Sequence, residues 1–138
     1  MFAAGGGIFM MTKECAQKVT PFDEHTFLYS EEWILGTVMK KFGYKTIVLP
    51  TVQVIHNHGT TMETVPAFSQ MHLVCSEIYF CRKYLKANKF KILILYFART
   101  LAFIFKSFKN SNYRKFLFKY FKNTFKEFNY KYGENYEH

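Results

Sequence analysis

The chain is 138 residues long, 49% hydrophobic and 20% aromatic, with a formal net charge of +9. That length allows one domain with a core. Cys15, Cys75 and Cys81 show no paired spacing, which excludes a disulfide framework or a cysteine-rich metal site and fits a reducing cytoplasm.

In chain order, the apolar run Met1–Met11 lacks the basic start of a secretory signal and is rich in glycine. Within it, Gly5, Gly6 and Gly7 suit a segment of close backbone approach. After Pro21 comes the phrase Phe22-Asp23-Glu24, and then Ser30, the predicted N-cap of a helix that opens with Glu31 and Glu32 and stops at Gly43. Carboxylates in a first turn face the positive end of the helix dipole, which favours their ionised form. Tyr44–Leu49 and Val52–Ile55 are β-branched and apolar, so they predict two strands broken at Pro50. His56 and His58 then fall at the end of the second strand, where open α/β sheets place ligand-binding groups.

Met71, Val74, Ile78, Cys81 and Leu85 recur at spacings of 3, 4, 3 and 4, which predicts a helix after Pro66 with one apolar stripe against the preceding sheet. Ile92–Phe105 is apolar but interrupted by Arg99 and flanked by Lys91 and Lys106. It is too short for a membrane span, which needs about 20 apolar residues, and reads as an interfacial helix. Phe118, Phe121, Phe125, Phe128 and Tyr132 form a last stripe, with Lys115, Lys119, Lys122 and Lys126 as a second stripe beside it.

Charge is divided unevenly. Residues 1–81 hold 5 Lys/Arg against 7 Asp/Glu, residues 82–138 hold 14 against 3, and no acidic residue lies between Ile78 and Lys126. A basic segment with an aromatic stripe fits an anionic membrane surface, with rings at headgroup depth and ammonium groups near phosphates. No nucleic acid is expected as a partner: no RNA or DNA fold signature accompanies the charge, and stacking aromatics belong on a sheet or groove rather than along a helix.

The phrases FDEHTFLYSEEWILG, KKFGYKTIVLP and VIHNHG are together similar to the C-terminal, acceptor-side half of the family-2 inverting glycosyltransferases with the GT-A fold, of the bacterial polysaccharide-assembly type. AGGGIFMM (4–11) resembles that family's small-residue strand beside the donor and acceptor sites, so the likeness spans residues 1–60. The resemblance implies an α/β fold, with a partial, Rossmann-like GT-A domain over 1–86 followed by basic amphipathic helices over 87–138. It implies Glu32, beside Glu31, as the base that deprotonates an acceptor hydroxyl. It further implies His56 as a ligand of a divalent metal, Mg²⁺ or Mn²⁺, and Gly5, Gly6, Gly7, Asp23 and Trp33 around the substrates.

The partners so implied are a nucleotide-sugar donor and a glycan or lipid-linked acceptor, with the enzyme cytoplasmic and peripheral on the inner face of the plasma membrane. Two departures accompany the likeness. No Asp-x-Asp occurs, Asp23 being the only aspartate, and the Gln-x-x-Arg-Trp phrase of processive members is absent. The expectation is an acceptor-side fragment of a single-transfer enzyme, inactive alone. A non-catalytic membrane-associated remnant is the competing reading, and a nucleic-acid-binding basic module a third, less favoured one.

Overall fold

A computed structural model describes residues 7–53, 55, 65–130 and 132. Its helices are α1 (Lys13–Val19), α2 (Glu31–Lys41), α3 (Pro66–Lys83), α4 (Lys89–Lys109) and α5 (Ser111–Asn129). No strand occurs among the described residues, so the expected α/β, GT-A-like sheet is overturned and the described chain is all-helical. The reason lies in segment 44–53. Tyr44–Leu49 has strand composition but no regular structure, with Ile47 75% exposed, and Val52 closes a turn on the Leu49 carbonyl at 3.4 Å. A strand needs a neighbour to satisfy its backbone N–H and C=O groups, and none stands beside this run among the described residues.

Local chemistry sets the helix ends. The Thr12 hydroxyl accepts from the Cys15 N–H at 3.2 Å and starts α1. Helix α2 stops in a Schellman motif: Gly43 (φ 79°) donates to the Lys40 carbonyl and Tyr44 to that of Met39, both at 3.0 Å. Pro66 occupies the first position of α3, where its missing N–H costs nothing. Asn88 caps α4, and Asn110 alone separates α4 from α5, capping the latter through the Asn112 N–H at 2.8 Å.

Helices α3, α4 and α5 run alternately up, down and up. Gln70 meets Lys106 and Glu77 meets Arg99 between α3 and α4, while Tyr96 meets Phe128 and Thr100 meets Tyr120 between α4 and α5. Their shared core holds Met71, Val74, Ile78, Ile92, Phe103 and Tyr120, with the Phe103 and Tyr120 rings stacked at 3.9 Å. The apolar stripe of α3 therefore faces the two basic helices, not a sheet, and Leu85, the last member of the predicted stripe, lies exposed beyond the helix end. The Arg82 guanidinium donates to the Phe128 and Tyr130 carbonyls at 2.5 and 2.8 Å, a cation on the negative end of α5.

A smaller cluster, Ile34 with Tyr79 and Phe80, joins α2 to the C-terminal end of α3.

Candidate functional site

A cavity of about 500 Å³ opens between the end of α1, the loop 20–30, the first turns of α2 and Tyr84 after α3, a volume within the range of small-molecule sites. Its α2 wall is Glu31, Ile34, Leu35 and Val38, one face at helical spacing, with Glu32 on the flank. Phe22, Leu28 and Val19 complete an apolar floor, and Lys18 adds a cation at the rim. Such a lining offers an apolar wall beside two carboxylates that can accept hydrogen bonds.

Tyr29 and Ser30 enter α2 with φ of 68° and 67°, two successive non-glycine residues in the left-handed region, each costing about 1–2 kcal/mol. Ser30 does hold the N-cap position, and its carbonyl takes the first helical bond from Ile34 at 2.8 Å, but its side chain makes no capping bond. Side-chain caps come from extended backbone, and the left-handed turn forfeits that geometry. Such strain persists where surrounding contacts over-determine the turn. Here the Ser76 hydroxyl of α3 fixes the Leu28 carbonyl at 2.6 Å, and Ser30 itself is buried.

For Glu31 the helix dipole is not the deciding influence. Desolvation raises Glu31 above its ordinary value, its own backbone N–H opposes the shift, and the neighbouring Glu32 charge adds to it. Asp23 behaves oppositely. Burial disfavours its charge, yet hydrogen bonds from Tyr79, Tyr84, Lys83 and the His25 N–H outweigh burial and hold it down at about 2. The Tyr84 hydroxyl lies 2.5 Å and Lys83 Nζ 2.9 Å from Oδ2, Tyr79 donates to the same oxygen, and the His25 N–H reaches Oδ1 at 3.0 Å. Asp23 therefore ties the cavity loop to α3 as an anion whose two oxygens are both engaged.

Of the residues marked by sequence, the cavity brings together Asp23, Glu31 and Glu32. Trp33 stands on the opposite side of α2, 49% exposed, its ring 5.7 Å from Phe80. Its place follows from helical rotation, since position 33 lies about 200° from position 31 at 100° per residue. Gly7 sits in an exposed turn and does not line the cavity, while Gly5, Gly6 and His56 lie outside the described residues. Among the described residues, no group of three or more His, Cys, Asp or Glu could hold a metal ion, and Asp23 is already spent on its four donors.

Sequence reasoning missed His25, Lys18 and Tyr84. The His25 ring stacks on Tyr79 at 4.1 Å and meets a carboxylate oxygen of Glu127 at 3.2 Å, so α5 also holds the cavity loop. Burial raises Glu127 above its ordinary value, and the His25, Arg82 and Lys126 charges oppose that rise. Nothing local in the sequence announces a contact across this separation. Helix α1, which carries Lys18, went unread, although Thr12 followed by Glu14, a cap and a first-turn acid, is the signal that announces it.

Compared with family models, curated proteins and solved structures, the chain matches none.

Proposed function

We propose that this protein presents a hydroxyl-bearing glycan acceptor for sugar transfer from a nucleotide-sugar, in cell-surface polysaccharide or glycan synthesis. The observation that carries the reading is the cavity, where Glu31 and Glu32 stand at the head of a strained helix start above an apolar floor. Glu32 accepts the proton of the acceptor hydroxyl as that oxygen attacks the anomeric carbon from the face opposite the leaving nucleotide, with inversion. Asp23 positions the loop and stays out of the proton transfer, because its hydrogen bonds keep it a weak base. The divalent ion implied by the resemblance finds no ligand set among the described residues, and no step here passes through it.

Glu31 is the second candidate for the base, favoured by its raised pKa, since a base is most effective when its pKa approaches the working pH. Transfer measured with a donor-binding half restored upstream, in membranes of cells producing that longer chain, separates the two. Glu32→Gln should lower turnover by about a hundredfold or more, the scale of a general base, and Glu31→Gln by less. A larger loss from Glu31→Gln would hand it the role, and no loss from either would refute the reading. No helix among the described residues is long and apolar enough to cross a membrane. The proposed location is peripheral, at the cytoplasmic face of the plasma membrane, where lipid-linked acceptors are reached.

A further inference from the structure

Helix α4 is apolar on two sides. One side carries Ile92 and Phe103 into the core, while Phe90, Ile94, Phe97, Leu101, Phe105 and Phe108 remain exposed, Phe108 by 72%. The run from Phe90 to Phe108 extends about 27 Å along one side of the helix. No other helix among those described covers it, although its aromatic content is that of a core.

The direction of this side follows from the neighbours of α4. Around the helix at 100° per residue, Lys106 and Arg99 come first and meet Gln70 and Glu77 of α3. Phe103 and Thr100 come next and meet Tyr120 of α5. Continuing in the same sense past α5 reaches Leu93, Phe97, Phe108 and Leu101. Helix α5 repeats the order. Lys119 lies over the Phe68 ring of α3, then Tyr120 and Phe128 meet α4, and beyond them come Phe121, Phe125 and Phe118, the last 82% exposed. Because α4 and α5 are antiparallel, the same order on each brings both exposed stripes to one side of the pair, the side away from α3.

The margins of that side are basic. On α4 the rotation continues from Phe105 to Lys91 and Lys109, and on α5 from Phe118 to Lys122 and Lys115, all four exposed. We infer that the α4–α5 face opposite α3 docks on an anionic lipid bilayer, lying in the interface with its rings at headgroup depth and its lysine margins against the phosphates. A second copy of this chain fits poorly, since face-to-face pairing would set lysine margin against lysine margin with no acidic residue from Ile78 to Lys126 to relieve them. A nucleic acid leaves the apolar centre unexplained. The geometry also corrects the sequence stripe: Phe128 and Tyr132 turn inward, and α4 supplies most of the apolar contact.

This inference deepens the peripheral location proposed above and is independent of the transfer chemistry. Flotation of the full chain with vesicles of phosphatidylcholine and phosphatidylglycerol, against phosphatidylcholine alone, tests it at physiological salt. Binding should be strong only with the anionic vesicles. Lys115→Gln with Lys122→Gln should weaken it by about thirtyfold, the combined effect of two surface lysines. Phe97→Asp with Phe105→Asp, both exposed and so compatible with folding as read by helical circular dichroism, should abolish it. Lys40→Gln with Lys45→Gln, in the cavity half, should leave it unchanged.

Absence of flotation, equal binding to neutral vesicles, tighter binding to single-stranded RNA, or a dimer in sedimentation that the Phe→Asp pair dissolves would each overturn the inference. Oligosaccharide binding measured on the same proteins reports on the cavity separately, so either reading can fail while the other stands.

Discussion

Helices α3, α4 and α5 cohere through an apolar core, whereas the cavity segment 18–38 is fastened to them by charged and polar ties together with ring contacts such as Phe27 on Phe68 and Trp33 on Phe80. In the first region Phe103, Tyr120, Met71 and Ile78 are fully or nearly fully buried. In the second, Asp23 with Tyr79, Lys83 and Tyr84, His25 with Glu127, and Ser76 with the Leu28 carbonyl add hydrogen bonds and charge to the small Ile34 cluster. Apolar packing does not titrate and is not screened, whereas charge-assisted ties weaken as their carboxylates protonate or as salt screens them. A change in solution conditions should therefore loosen the cavity before it melts the helices.

Truncation in the helical region gives the largest expected effect. Phe103→Ala should cost about 3–5 kcal/mol in chemical denaturation, the range for a buried aromatic. Phe108→Ala on the same helix should change stability by about 0.5 kcal/mol or less, as surface substitutions do. Similar losses from both would break the distinction between the inner and outer faces of α4.

Next is the tie at Asp23. Its folded pKa of about 2 lies below the ordinary 3.8, so it contributes stability that is present above pH 3.8 and lost as pH falls through about 2. The shift corresponds to about 2 kcal/mol at neutral pH. Asp23→Asn should lower stability by that amount at pH 7, and the gap from the native protein should close as pH falls from 4 to 2. A gap that persists at pH 2 would place the effect in packing and not in charge.

The smallest expected effect sharpens the cavity itself. Glu32→Gln removes a negative neighbour and should move the Glu31 titration downward in carboxyl carbon NMR, while desolvation keeps it above its ordinary 4.5. An upward or absent shift would mean that the two carboxyls do not interact.

Legibility from sequence divides along the same line. The start of α2 at Glu31, its stop at Gly43 and the stripe Met71, Val74, Ile78 depend on neighbours within a few residues, and these were readable. The strand expectation for Tyr44–Leu49 failed because strand formation depends on a partner that composition does not supply. Periodicity placed Phe118, Phe121, Phe125 and Phe128 near one another on a helix but could not say that Tyr96 would cover Phe128 and leave Phe118 bare. Asp23 was singled out as a substrate contact, and its ties to Tyr79, Lys83 and Tyr84 emerge only when α3 folds back over the loop.

The central claim, that the cavity is where a glycan acceptor sits, is tested most directly by backbone and side-chain NMR shifts during titration with hydroxyl-rich oligosaccharides. The account predicts perturbations at Thr20, Leu28, Glu31, Glu32, Leu35 and Val38, with Trp33 and the outer faces of α4 and α5 unmoved. Perturbations confined to α4 and α5, or none at saturating oligosaccharide, would contradict it.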